Sequence, residues 1–176
     1  MNNRDRHLWK GVVAGAAGGL AAAWVMNQFQ TGWSKATKAL QQSKTPQGEQ
    51  ERQSNDDAED ATMKTAAKIS ETVFNHSLSR EERKRLGPVV HYAFGASVGA
   101  VYGALAEFEP RATQGAGLSY GAVVFVGADE IAVPALGLSK PPKEYPASAH
   151  IYGLASHLVY GLSLEMARRG IRRIMD

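Results

Sequence analysis

Five titratable side chains lie within otherwise uncharged stretches of this sequence, and their types are those that move protons or bind ions. Asp129 and Glu130 are adjacent in the segment GADEIAVPALGLSKPP, residues 127–142. His91 alone interrupts the uncharged run 86–106, and His150 and His157 both lie in the otherwise uncharged run 145–164. Because burial and neighbouring charges bring carboxylate and imidazole pKa values towards neutrality, such groups in series conduct protons. We call these five residues the polar seam.

Other chemistries would need features that the sequence does not display. Histidines ligate metals and haem, but none of the spacings here matches a tight metal motif. An intramembrane hydrolase with Asp129 or Glu130 as base and His157 as its partner would need a nucleophile motif, and none is visible. The plainest alternative is that Asp129, Glu130 and His157 hydrogen-bond each other and hold helices together. We therefore expect no enzyme activity, no catalytic residue, no metal and no cofactor, and both remaining interpretations of the polar seam stay open.

Long uncharged runs indicate where the helices that position these residues lie. A helix needs about 20 predominantly apolar residues to cross a bilayer. The sequence predicts an all-α polytopic membrane protein, a single membrane domain over residues 1–176, with four transmembrane helices at about residues 10–33, 86–108, 113–138 and 145–169. The alternatives are a soluble bundle rich in Gly and Ala and, for the first run, a cleaved signal peptide.

The charge and cysteine content exclude several classes of protein. The 176 residues carry a formal net charge of +3 and no cysteine. Disulfides, thiolate metal sites and cysteine nucleophiles are therefore excluded. The chain also lacks the concentrated basic stripe of a nucleic-acid-binding protein, so we expect no nucleic-acid partner.

Glycines recur every four residues within two of the predicted helices. In water each would weaken a helix by nearly 1 kcal/mol relative to Ala, whereas in lipid small residues at this spacing let helices approach closely. We therefore predict that the transmembrane helices pack through two glycine-ladder faces, formed by Gly11, Gly15 and Gly19 and by Gly95, Gly99 and Gly103.

A polar segment, residues 35–85, separates the first two predicted spans. Residues 35–57 have few large apolar side chains and are predicted to be irregular. An amphipathic helix is predicted at about 58–77, and its apolar face comprises Met63, Ala66, Ala67, Ser70, Val73 and Phe74. We expect this helix on the membrane surface, over one end of the bundle, or as a solvated connection. The sequence SREE matches a capping box in which Ser79 caps the helix and Glu82 reaches back, so a helix should begin near Arg80.

The third span is predicted to be interrupted near its middle. Pro134 has no backbone N–H, so it should kink the helix and free the carbonyl of Glu130 beside the two carboxylates. Counting 1.5 Å per residue from the shared end of the third and fourth helices places Glu130 and His157 at similar depths, which predicts that they pair. Glu165 should lie near the opposite surface and pair with Arg168 or Arg169 along its own helix.

Basic residues at the helix ends do not fix the orientation. Each side of a four-span arrangement would carry eight Lys and Arg residues, and we expect both termini in the cytoplasm because the first helix often dominates. A basic run follows the capping box and comprises Arg83, Lys84 and Arg85. We expect it either to contact anionic lipid headgroups or to be only a solvated flank.

Several stretches in one order resemble the YagU-type family, small bacterial inner-membrane proteins that carry a domain of unknown function. The resemblance covers about residues 59–173 and rests on ISETVF (69–74), GPVVHYAFG (87–95), the segment 127–142, and ASHLVYGLSLEMARRGIRR (155–173). It implies a four-helix integral membrane protein and no established chemistry; the enteric members are linked loosely to acid tolerance. This chain departs from them in its longer, more polar first loop and its higher Gly and Ala content, so a shared acid-related role does not follow directly.

These observations lead to two expectations for function. The first is a non-enzymatic, multi-pass protein of the bacterial inner membrane whose polar seam handles protons or ions, or serves in envelope or acid stress. The second is a structural or interaction subunit that assembles with itself or with a larger membrane complex through its glycine-rich faces. Either way, the expected partners are the lipid bilayer and, in the second case, another membrane protein chain.

Overall fold

The structure is a computed structural model that describes residues 3–42 and 61–175, with side chains for 8–39 and 61–175. Every regular element in these two ranges is helical, as predicted. The long helices are α1 (Asn3–Gln42), α2 (Ala61–Phe74), α3 (Arg80–Phe108), α4 (Leu118–Ala135) and α5 (Ala147–Ile174). Two short 3₁₀ turns, Pro110–Thr113 and Pro142–Glu144, precede α4 and α5.

The four long helices α1, α3, α4 and α5 run alternately up and down. At one end of the molecule, Gly11 of α1 lies against Gly103 near the end of α3, so these two helices are antiparallel. At the other end, the rings of Trp33 and Tyr152 lie 5.8 Å apart, so α5 also runs antiparallel to α1. The most extensive helix–helix interfaces are those of α1 with α3 and of α1 with α5, and α4 packs mainly on α5.

Within residues 3–42 and 61–175, three helices are long and apolar enough to cross a membrane, which indicates a membrane protein. They are Leu8–Ala39, Arg80–Phe108 and Leu118–Ala135. Helix α5, the fourth predicted span, is 28 residues long but is not among them. Its apolar content is diluted by polar residues on the side that packs inside the molecule, since Ser156, His157, Glu165 and Arg168 are all buried.

The distribution of polar and apolar side chains is partly inverted relative to a water-soluble bundle. The largest fully buried side chains are Tyr102, Leu164, Glu165 and Ser156, three of which carry polar groups. Large apolar side chains point outwards instead, with Val123, Ile131, Ile151 and Met166 between 60% and 67% exposed. An apolar outer surface of this kind is stable in contact with lipid and unfavourable in contact with water.

Several helix ends differ from those predicted. Helix α1 continues to Gln42, so the expectation of irregular chain is wrong for residues 35–42; residues 43–57 lie outside the described residues. The third span begins at Leu118 rather than at 113, because the preceding turn contains Gly115 and Gly117 with φ of 75° and 84°. A positive φ is incompatible with a right-handed helix, and glycine adopts it at little cost.

The predicted capping box at the start of α3 is confirmed. The Ser79 hydroxyl accepts a hydrogen bond from the Glu82 backbone N–H, and the Glu82 carboxylate accepts one from the Ser79 backbone N–H at 2.8 Å. Two N–H groups that a helix start leaves without partners are thereby satisfied. Helix α3 begins at Arg80, as the sequence predicts.

The amphipathic helix α2 is shorter than predicted and packs on the first half of α3. Its buried residues are Ala66, Ala67 and Ser70, which belong to the predicted apolar face. Val73 and Phe74, assigned to the same face, are 66% and 73% exposed, so these two side chains do not pack inside the molecule. The Lys68 ammonium donates to the Leu136 carbonyl at 3.1 Å, which ties α2 to the end of α4.

Candidate functional site

Helix α4 changes its winding where it carries the two carboxylates. Residues Leu118–Val124 form an α-helix, Phe125–Ala132 form a π-helix, and one α-helical turn, Val133–Ala135, follows. At the end of the π-helix the Val133 N–H donates to the Ala128 carbonyl, five residues back. The predicted interruption of this helix near Pro134 thus takes the form of a widened spiral immediately before the proline. Such widened turns are rare and recur at functional sites.

Glu130 and His150 form a direct acid–imidazole pair between α4 and α5. The distance from Glu130 Oε1 to His150 Nδ1 is 2.7 Å, and from His150 Nε2 to the Pro142 carbonyl oxygen it is 3.1 Å. Because a carbonyl oxygen only accepts, Nε2 must carry a hydrogen. The hydrogen between Nδ1 and Oε1 then belongs either to a neutral carboxylic acid or to an imidazolium. The pair holds one proton that both partners can carry.

Asp129 lies beside His157, at a longer distance. Asp129 Oδ2 is 3.7 Å from His157 Nδ1, and the same Nδ1 donates to the Gly153 carbonyl at 2.9 Å. The Phe125 ring lies against the imidazole, with ring centroids 5.6 Å apart. Depth along the helices led us to pair Glu130 with His157; the structure instead pairs Glu130 with His150 and Asp129 with His157. An intervening water is needed for proton exchange at 3.7 Å, because this distance exceeds a hydrogen bond.

Two adjoining cavities connect the members of the polar seam. The larger cavity has a volume of about 620 Å³, and His91, Asp129 and His157 lie on its wall. The smaller has a volume of about 280 Å³, and Glu130 and His150 lie on its wall. Asp129 and His157 line both, so the five residues border two adjoining cavities between α1, α3, α4 and α5, to whose walls α2 also contributes.

The residues around the polar seam offer acid and imidazole groups in series rather than a metal cage. In the described ranges, no group of three His, Asp or Glu side chains is close enough to hold a metal ion. Tyrosine hydroxyls lie near the same region: Tyr160 donates to the Gly95 carbonyl at 2.6 Å, and Asn27 donates to the Tyr92 hydroxyl at 3.2 Å. These bonds fix the positions of α1, α3 and α5 around the cavities.

Glycines set the distance between α1 and α3. A Cβ built on Gly15 would lie 2.2 Å from the Gly99 carbonyl oxygen, and one built on Gly19 would lie 2.3 Å from the Gly95 oxygen. Helices α4 and α5 meet in the same way, since a Cβ on Gly117 would lie 2.1 Å from the Gly161 oxygen. At these positions the two backbones are in direct contact and no side chain larger than hydrogen fits.

A second charged cluster lies at the opposite end of the bundle. Glu165 is buried there among the helices, with 1% of its surface exposed. Its predicted pairing within α5 is confirmed: Arg168 donates to it twice, at 2.7 and 3.0 Å, and Arg169 donates at 2.5 Å. The Arg168 guanidinium also lies over the ring of the fully buried Tyr102, 5.8 Å from its centroid.

One interhelical ion pair was not predicted. Arg172 Nε of α5 lies 2.7 Å from Glu107 Oε1 of α3, and both side chains are at most 15% exposed. The available signal was that each residue stands near the end of a helix on the same side of the fold.

In the basic run, Arg83 donates to the Leu78 carbonyl at 2.9 Å, while Lys84 is 4.0 Å from Glu81 and largely exposed.

Comparison with known protein families gives a match over most of the chain. A family model described as "Protein of unknown function (DUF1440)" matches residues 44–166. This range contains the whole polar seam and both partners of the α4–α5 contact. No curated protein and no solved structure matches the chain. Since the matched range is well over half of the sequence, the protein belongs to the DUF1440 family of proteins of unknown function, as the YagU-type stretches led us to expect.

Proposed function

We propose that this protein is a non-enzymatic, multi-pass protein of the bacterial inner membrane, and that its polar seam moves protons along the α4–α5 contact. Four spanning helices, α1, α3, α4 and α5, pack through their glycines and enclose the two cavities. The observation that carries the proposal is the pair formed by Glu130 and His150, whose 2.7 Å contact holds a shared proton.

The arrangement of the acids and imidazoles supports a relay. The side chains of Glu130 and His150 are 23% and 33% exposed, so the shared proton is accessible from one end of the bundle. The adjacent Asp129 faces the larger cavity, and the imidazoles of His157 and His91 lie on the same cavity wall. The polar side chains that α1 and α2 contribute to that cavity are uncharged; they are Asn27, Gln30, Thr62 and Thr65. A proton passed between the two neighbouring carboxylates would thus reach the larger cavity.

The surroundings explain why such groups would be retained. A charged side chain within a membrane is costly, faces the bundle interior and by default has a function. Pairing alone does not account for Asp129, because its side chain remains 45% exposed and its ion-pair contact within the described part of the chain is the long one to His157. A purely structural pair would be better satisfied.

The experiment is proton flux into vesicles that contain the purified protein and an internal pH dye, driven by a potassium diffusion potential. We expect Glu130→Gln and Asp129→Asn each to reduce the flux at least tenfold. The matched control is Glu81→Gln, since Glu81 is 75% exposed outside the bundle and should conduct as the wild type does. Wild-type vesicles no more permeable than empty ones would refute the proposal.

The second candidate, an assembly subunit that uses the glycine faces, has less support. Gly15 and Gly19 are occupied within the molecule by Gly99 and Gly95, so they are not available to a second chain. If Asp129→Asn and Glu130→Gln change only thermal stability and leave the flux unchanged, the structural interpretation of the polar seam would be favoured.

A further inference from the structure

The larger cavity is bigger than a proton pathway requires. At about 620 Å³ it falls in the range of 300–1,000 Å³ typical of pockets for small organic ligands. Most of its wall is apolar, with side chains from all four long helices, among them Met26, Phe94, Val98, Val124 and Val133. An apolar pocket with a few convergent polar groups is the usual form of a small-molecule site.

Asp129 is the acidic group on this wall, and its charge is poorly compensated. Its side chain is 45% exposed, and its nearest basic atom is His157 Nδ1 at 3.7 Å. That nitrogen directs its hydrogen to the Gly153 carbonyl instead. Among the described residues, no donor forms a hydrogen bond with the Asp129 carboxylate. An ionised carboxylate in apolar surroundings is unfavourable until a proton or another cation neutralises it.

We infer that the larger cavity binds a small organic cation, with its apolar body against the cavity wall and its single positive charge beside Asp129. This inference rests on the proposed function, because Asp129 belongs to the polar seam, and it names the class of molecule that the proton movement would serve. The aromatic rings of Phe94 and Tyr160 on the same wall add a favourable surface for a cation. A proton and the organic cation would compete for one carboxylate, which couples the occupancy of the cavity to protonation.

Two ions of nearly equal size and shape but opposite charge test the inference. Tetraphenylphosphonium and tetraphenylborate are titrated calorimetrically into the full-length protein in detergent, with protein-free micelles as the blank. We expect the wild type to bind tetraphenylphosphonium at least tenfold more tightly than Asp129→Asn does. Asp129→Glu, which keeps the charge, should retain binding, and the exposed control Glu81→Gln should match the wild type. Tetraphenylborate should bind the wild type no more tightly than it binds Asp129→Asn.

The outcomes separate this inference from the proposed function. If the wild type binds neither ion, or if Asp129→Asn binds tetraphenylphosphonium as the wild type does, the inference is overturned. Equal affinity for both ions would show an apolar cavity that holds lipid or detergent, which also overturns it. Proton flux that depends on Glu130 would still be expected after any of these binding results, because it does not require the cation site. Conversely, charge-selective binding without flux would retain the cation site and refute the proton pathway.

Discussion

The glycine contact between α1 and α3 allows a sharp test of the packing. In Gly99→Ala the added Cβ would lie 2.4 Å from the Gly15 carbonyl oxygen and 2.8 Å from the Gly19 Cα. Real Cβ atoms essentially never approach closer than 3.0 Å, so the helices must separate by at least about 0.6 Å. Both obstructing atoms belong to the backbone, so no side-chain rotation relieves the contact.

The cost follows from that displacement. Adding a methyl group to a well-packed interface typically costs about 1–3 kcal/mol, and we expect Gly99→Ala to lose that amount. The matched control is Gly170→Ala in α5, because a Cβ there meets nothing within 4 Å. Alanine favours a helix by up to about 1 kcal/mol over glycine, so the control should be neutral or slightly stabilised. Gly32→Ala in α1, with the same open surroundings, is a second control.

The assay is unfolding in mixed micelles with increasing sodium dodecyl sulfate, followed by fluorescence of the three tryptophans. The free energies of unfolding of Gly99→Ala and Gly170→Ala are compared in one detergent and at one protein concentration. Equal values for the two variants would refute the direct backbone contact between α1 and α3. Loss of stability in both would show that glycine matters at these positions for a reason other than space.

Three further changes test the charged clusters and the start of α3. Glu165→Gln removes the carboxylate that receives the Arg168 bonds in a buried site, and we expect a loss of about 3 kcal/mol or more of unfolding free energy in the same assay. Arg172→Gln breaks the pair with Glu107 and should lower the free energy of unfolding by about 1.5–3 kcal/mol. Adding Glu107→Gln to this variant should lower it by much less than Glu107→Gln does in the wild type. Full additivity of the two losses would contradict a direct bond. Ser79→Ala should lower the free energy of unfolding by about 1 kcal/mol and speed amide hydrogen exchange in the first turn of α3, whereas Ser79→Asp should keep the cap. Unchanged exchange in Ser79→Ala would argue against a stabilising cap at Ser79.

Local features of the fold follow directly from the sequence. The start of α3 was predictable because a capping box acts within four residues and depends on no distant part of the chain. The membrane character was predictable because hydropathy is summed over one segment at a time. In the structure, three of the four predicted spans are helices long and apolar enough to cross a membrane. The continuation of α1 to Gln42 was missed, since a polar composition does not by itself end a helix.

Partner assignments within the polar seam depended on tertiary structure. The rise per residue fixes how deep Glu130 and His157 lie, but not the direction in which each side chain points. The π-helix at Phe125–Ala132 changes those directions, and it pairs Glu130 with His150 while Asp129 faces the cavity beside His157.

The sequence by itself determined the helical class, the family and the identity of the acids and imidazoles inside the helices, because each is recorded in residue types and their spacing. Only the tertiary structure decided which of these groups share a proton, that Glu165 is buried, and that a cavity of about 620 Å³ opens beside Asp129. The physical reason is that contacts between helices depend on rotation about each helix axis. That rotation becomes fixed only when the helices pack together, as they do where the α1 and α3 backbones meet at Gly15 and Gly99.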